Sequence, residues 1–391
     1  MAVGGGSIHT ALGPRPVELT LGRKIRSLNW SLILVVLAIA GIGLLTLYSA
    51  AGGSSEGWVV RQLVRLAVGM LAMFVVALID IRIWYRFAYA GYLAALGLLV
   101  VVEAAGTIEG GAQRWVAVGV FNLQPSEIMK LALVLALARY FHARSEEQVG
   151  QVRWLLAPLL MMAAPAALVL RQPDLGTAIL IVLGGIAILF LAGVRLRAFA
   201  VAFAALAAAV PLVWNHLHDY QRSRVLTFFD PERDPLGAGY HIIQSKIALG
   251  AGGLAGKGFL LGSQSQLNFL PEKHTDFIFT VFAEEFGLFG GLTLLALYVL
   301  TIAAGFAISL RARSHFGRLL GLGVTATFFI YVFINVAMVT GLIPVVGVPL
   351  PLISYGGTAM VTILAGFGLL MNVHIHGEVR IPRRPGVAAE A

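Results

Sequence analysis

Residues 268–287 read NFLPEKHTDFIFTVFAEEFG, a polar cluster that runs straight into an apolar stretch. Glu272, Lys273, His274 and Asp276 crowd together behind Pro271, and Glu284 and Glu285 follow within the apolar part. A carboxylate at the mouth of an apolar helix can take the proton of a reacting hydroxyl. It can also simply cap the helix, whose N-terminal dipole and orphan N–H groups welcome a negative charge. A cap needs no histidine, lysine and second acid beside it, so the neighbourhood favours chemistry for Asp276. Glu284 and Glu285 fall roughly 12 Å deeper at 1.5 Å per helical residue. Acids at that depth require partners. Lys130, Arg65 and Asn335 are the expected ones, and a structural ion pair is as good a reading as catalysis.

The basic residues point to an anion. Glu127 and Lys130 stand at i,i+3 on one helix face and either hold each other or help hold an anionic headgroup. Arg65, and Arg114 within GAQRW, carry the planar fork that suits phosphate, although a snorkelling role would also account for Arg65. Asp174 in RQPDLGTA reads as a helix cap. GAGGLAGKG at 250–258 imitates a phosphate loop but fails as one, because Ala251 and Gly258 stand where glycine and Ser/Thr are required. Its backbone N–H groups are nevertheless expected to stay open to an anion, with Lys257 beside them. Glu272, His274 and Asp276 do not make a zinc set. A hard divalent ion, Mg or Mn, shared between Asp276 and a phosphate is the metal site these residues allow.

These side chains must be positioned by membrane helices. Of 391 residues 59% are hydrophobic and only 12% charged, where soluble domains carry about 25% charge. Stretches long enough to span, roughly 20 residues each, fall at 29–50, 62–80, 84–104, 125–142, 154–171, 175–194, 196–215, 276–309, 317–342 and 356–376. The expected fold is therefore an all-α polytopic membrane protein of ten spans. A tail at 1–28 precedes the spans and another at 377–391 follows them; residues 1–22 and 382–391 are expected to be disordered. The first apolar run exceeds the roughly 7–15 residues of a signal-peptide core and reads as a retained span. Seventeen Lys and Arg lie on the side of the N-terminus and four in the short loops opposite, which places both termini in the cytoplasm. The net charge of +9 is thereby explained by topology, and nucleic acid is excluded as a partner. Cysteine is absent, so neither disulfides nor thiolate metal sites arise.

Three outer segments, 105–124, 216–275 and 343–355, are expected to present the chemistry. The last, with Pro344, Pro349 and Pro351, cannot be regular helix and must pack against protein. Residues 239–250 in the long loop suit a short helix lying in the interface.

The motifs GAQRWVAVG…QPSEIMK, RQPDLGTA, FFDPERDPLGAGYHIIQSKIALGAGGLAGKG, GSQSQLNFLPEKHTDFIFTVFAEEFGLFG and GVPLPLISYGGTAM resemble those of the SEDS glycosyltransferases, the shape, elongation, division and sporulation proteins. The likeness covers most of residues 30–376 and is stronger to the elongation branch than to the division branch. It implies a multi-pass enzyme of the bacterial inner membrane that polymerises lipid II into glycan strands at the outer face. Its partners would be a class B penicillin-binding protein that crosslinks the strands, other proteins of the elongation complex, and membrane lipids. The family's essential aspartate falls on Asp276, as general base, with a lipid pyrophosphate leaving from the anomeric carbon. Arg65, Arg114, Lys130 and Lys257 become candidates to stabilise that pyrophosphate, and Glu127, Gln244, His274 and Ser354 join them as substrate-binding candidates. A flippase for the same lipid is the rival expectation, supported by Glu127, Lys130, Glu284 and Glu285. A non-catalytic scaffold for wall synthesis is a weaker one.

Overall fold

The computed structural model describes residues 20–109, 112–118, 121–216, 219–230, 238–267, 269 and 272–382. Where the N-terminal tail enters them it is a short helix, α1 (Leu21–Arg26), not the disorder expected at residues 21 and 22. Lys24 of this helix donates to Leu78 O and so fastens it to the bundle. Then come α2 (Trp30–Ala50), α3 (Trp58–Leu78) and α4 (Ile81–Ala105). Asn29 and Asp80 cap α2 and α4 by accepting from Leu32 N and Arg82 N. A small antiparallel sheet follows in the order β1 (Thr107–Glu109), β2 (Ala112–Val118), β3 (Phe121–Leu123), with Thr107 opposite Trp115 and Val116 opposite Leu123. Hydropathy offers no hint of it.

The bundle continues with α5 (Pro125–His142), α6 (Glu146–Val149), α7 (Val152–Arg171), α8 (Leu175–Leu191) and α9 (Leu196–His216). The long loop holds α10 (Asp219–Phe229), α11 (Ala238–Ala251) and α12 (Ser263–Gln266). The chain closes with α13 (Ile278–Arg311), α14 (His315–Val339) and α15 (Gly357–Ile375). Helices occupy all ten positions where spans are expected. Among the described residues, seven of them are long and apolar enough to cross a membrane: α2, α3, α4, α7, α13, α14 and α15. Helix α5 carries Glu127, Lys130 and Arg139, and α8 has 17 residues.

The centre of the bundle is α5, buried along most of its length, with α14 and α15, 78% and 72% buried along their apolar windows against 17% for α3. Small residues allow the closest approaches: a Cβ on Gly69 would lie 2.4 Å from Leu364 Cδ1, and one on Gly43 2.7 Å from the Ile353 backbone. The proline-rich segment 343–355 is non-helical and packed against protein, with Val348, Leu350, Leu352 and Ile353 all buried. Helix α11 forms where the short helix at 239–250 is expected. It packs on α13, burying Ile242, and Ser245 Oγ bonds Thr280 Oγ1 at 2.8 Å while donating to Val339 O at 2.7 Å.

Helix α13 is broken at Gly287, whose φ of 65° and ψ of −162° are not helical. The broken turn is completed by the glycine-rich run before it in sequence. Lys257 N and Gly258 N donate to Glu284 O and Glu285 O, while Leu288 N and Phe289 N donate to Gly253 O and Leu254 O. Four backbone groups that an unbroken α-helix would pair i to i+4 are thus paired across the gap. The approach demands glycine: a Cβ on Gly256 would stand 2.1 Å from Glu285 O, and Gly256 itself has φ of 82°. The expectation that this run leaves N–H groups open to an anion is corrected at Lys257 and Gly258, whose N–H groups α13 consumes.

Candidate active site

Asp276 lies in the turn before α13, two residues ahead of its first helical residue, and the N-cap position belongs to Phe277 with no side-chain capping bond. It therefore stands one residue ahead of the N-cap, not on the first helical turn where it is expected. Its backbone is fixed: Asn335 Nδ2 on α14 donates to Asp276 O at 2.9 Å and to Val348 O at 2.7 Å, tying the turn to the proline-rich segment. Gly347 in that segment faces the carboxylate, and a Cβ there would stand 3.4 Å from Asp276 Oδ2. Gly347 has φ of 75°, a conformation glycine adopts freely.

Ser354 reinforces the same junction. Its hydroxyl donates to Thr275 O at 2.6 Å and accepts from Leu350 N at 2.7 Å. Gln62 Nε2 on α3 donates to Ser354 O, and Tyr355 N donates to His274 O at 2.8 Å. Ser354 is buried and its hydroxyl committed, so its contribution here is to hold residues 274–276 in place.

Around this junction runs a column of flat groups. Trp58 at the start of α3 stacks on His274 with centroids 4.3 Å apart and planes 5° from parallel. His274 meets Tyr355 at 5.9 Å, and the Arg65 guanidinium lies over the other ring at 4.3 Å from the Tyr355 centroid. Arg65 Nη1 and His274 Nδ1 are buried with no hydrogen-bond partner among the described residues. Burial holds the His274 imidazole below its usual titration range, against the pull of Glu272. Trp58, Gln62 and Tyr355 are residues that sequence reasoning missed. The one available signal was ISYGG, where a tyrosine precedes two glycines after a proline-rich run.

Arg114 and Asp174 form an adjoining cluster. Arg114 Nε donates to Gln172 O at 3.0 Å, its Nη2 to Pro173 O, and its Nε is 3.9 Å from Asp174 Oδ2. Asp174 caps α8 as expected, accepting from Thr177 N at 3.1 Å, and Gln124 Nε2 reaches it at 3.3 Å. Gly176 abuts Val346 O, so this cap touches the segment that faces Asp276.

The other candidates are elsewhere. Lys130 donates to Glu127 Oε1 at 2.6 Å and to Tyr331 Oη, deep among α5, α14 and α15. Lys257 donates to Glu284 Oε1 at 2.6 Å and to Ser263 Oγ at 2.7 Å. Ser49 Oγ donates to Glu285 Oε1. None of the partners expected for Glu284 and Glu285 is therefore the observed one. Lys130 is paired with Glu127, Arg65 lies over Tyr355, and Asn335 is bonded to two carbonyls. Gln244 is half-buried on α11 beside Ser245. No group of three or more His, Asp or Glu side chains suited to a metal occurs among the described residues.

A helical membrane bundle whose polar site sits where a loop enters a span now has a place among known proteins. The family described as Cell cycle protein, that of FtsW, RodA and SpoVE, matches residues 29–378, and the chain belongs to it. The chain is 48% identical over 369 residues to the peptidoglycan glycosyltransferase MrdB of Escherichia coli, covering 93% of this chain and 98% of that one. It is 35% identical over 352 residues to stage V sporulation protein E of Bacillus subtilis, covering 88% and 95%. Among solved structures it resembles the rod shape determining protein RodA of Thermus thermophilus, with a TM-score of 0.68, 31% identity, and 90% and 97% of the two chains covered. A chain of a peptidoglycan synthase complex that coordinates polymerization and crosslinking gives a TM-score of 0.78 at 37% identity, covering 89% and 97%.

Proposed function

We propose that this chain is a peptidoglycan glycosyltransferase that polymerises lipid II into glycan strands during cell elongation. The likeness to MrdB over nearly the whole chain supports that activity, and the likeness to the synthase complex supports a crosslinking partner of the class B penicillin-binding type. Ten spans in the bacterial inner membrane would leave both termini in the cytoplasm and Asp276 at the periplasmic face.

The geometry that supports the mechanism is the turn of Asp276, held by Asn335 and Ser354 against the segment of Tyr355, over whose ring lies Arg65 with a buried Nη1 that has no hydrogen-bond partner among the described residues. In the reaction a sugar hydroxyl of one lipid-linked saccharide attacks the anomeric carbon of another. The bond from that carbon to the pyrophosphate oxygen breaks with inversion, Asp276 accepts the hydroxyl proton, and negative charge gathers on the departing undecaprenyl pyrophosphate. Cationic donors aimed at developing charge are worth most in a site that excludes water. Arg65 has the donor to spare, whereas Arg114 reaches the same segment through Asp174. A hard divalent ion such as Mg or Mn would find one protein carboxylate in Asp276 and take its remaining ligands from phosphate and water.

The flippase reading weakens on these contacts. Transporters bind near the midplane, and here Glu127, Lys130, Glu284 and Glu285 already have partners within the protein. The deciding experiment incubates the full chain with its crosslinking partner and fluorescent lipid II, comparing native protein with Asp276→Asn at matched folding. A ladder of strands from the native protein, lost in the variant, is the expected result. A ladder that persists in the variant removes Asp276 from the chemistry.

A further inference from the structure

An open basin of about 460 Å³ lies beside the candidate active site, bordered by the turn from α2 to α3 and by Gln266 and Lys273. That volume falls within the roughly 300–1,000 Å³ of small-molecule sites. Its chemistry comes from Ser54, Glu56, Trp58, Gln266 and Lys273. One carboxylate and one ammonium offset each other, so a polyanion gains nothing here. An indole with hydroxyl, amide and charged groups around it matches a sugar ring, which offers apolar C–H faces and hydrogen-bonding edges. Gln266 is preset for this task. Its Nε2 donates to Ser49 O at 3.1 Å, and a Cβ added to Gly52 on the basin wall would stand 3.7 Å from its Oε1.

We propose that this basin is a saccharide-binding subsite, taking N-acetylated amino sugars of the glycan and holding them beside Asp276. The inference rests on the glycosyltransferase reading and adds to it where the sugar lies. Trp58 lines the basin and also begins the column that ends at Arg65. Arg65 is seven residues along α3 from Trp58, which places it roughly 10 Å further into the helix. A lipid-linked saccharide has the same polarity, with sugar outermost, pyrophosphate next and hydrocarbon deepest. The column therefore matches the substrate in order as well as in chemistry.

The test titrates the detergent-solubilised full chain with N-acetylchitotetraose, a soluble probe without lipid or phosphate, following tryptophan fluorescence and ligand-detected NMR. The polymerase assay is run on the same native preparation after its crosslinking partner is added. Native protein should bind the probe, and Trp58→Leu should bind it about tenfold more weakly. Since Trp58→Leu also removes the stack on His274, Glu56→Ala on an exposed side chain is the second variant, and weaker binding is expected there too. Native protein that polymerises lipid II without binding the probe overturns the subsite and leaves the enzyme reading intact. Probe binding without polymerisation supports the subsite and overturns the enzyme reading. Binding unchanged in both variants removes the saccharide from this basin.

Discussion

Arg65 and His274 both contact Tyr355, and their chemistry separates experimentally. Lysine at position 65 keeps the charge but loses both the planar stack on Tyr355 and the fork. Arg65→Lys should lower kcat by about 10²-fold in the lipid II assay, with a smaller change in KM because the charge develops during the reaction. His274 makes a prediction about stability. Burial lowers its pKa from 6.5, so the unfolded chain binds the proton more readily than the folded one. The stability contributed is complete above pH 6.5 and is lost as pH falls through that value towards the folded pKa. The melting temperature should therefore drop on acidification below about pH 6.5, and His274→Gln should flatten that drop. At this scale Asp276 was legible, since a carboxylate beside histidine and lysine at the mouth of an apolar run stands out. Trp58 and Tyr355 were not. An aromatic residue bordering a span looks like packing until a segment some 80 residues onward folds against residue 275.

At the scale of elements, α13 and the glycine-rich run are one unit. Glu284 is wholly buried and Lys257 is its cation, so removing the lysine strands a charge. Lys257→Met should destabilise the protein by about 3 kcal/mol. The double variant Lys257→Met with Glu284→Gln should recover most of that loss, read as melting temperature in detergent across the four-protein cycle. A loss in the double variant equal to the sum of the two single losses would show that the pair contributes little. The ten helical positions were readable from hydropathy, because a span is a long run and composition alone reveals it. The partners of Glu284 and Glu285 were not, because helix periodicity ranks residues on helices and these partners sit in a turn and at the end of α2. The sheet at 107–123 escaped for a related reason: strands of three residues are too short to alternate visibly.

For the whole molecule, orientation is the open quantity and the chain is well suited to measure it. It contains no cysteine, so single introduced thiols report without background. A membrane-impermeant maleimide should label Ser54→Cys from outside intact cells, and should label Ser27→Cys and Glu378→Cys only after permeabilisation. Labelling in the reverse sense would move Asp276 to the cytoplasm and end the polymerase reading. The broken turn of α13 bears on how such a molecule is made. Backbone groups left unpaired in hydrocarbon cost several kcal/mol each, so α13 cannot enter the bilayer alone as a finished helix. Residues 253–258 leave the ribosome before Leu288 and Phe289 do, and the two segments must be released into lipid together. The pairing across the gap thus predicts a joint insertion step, with a translocation pause between residues 258 and 284 expected to strand both halves.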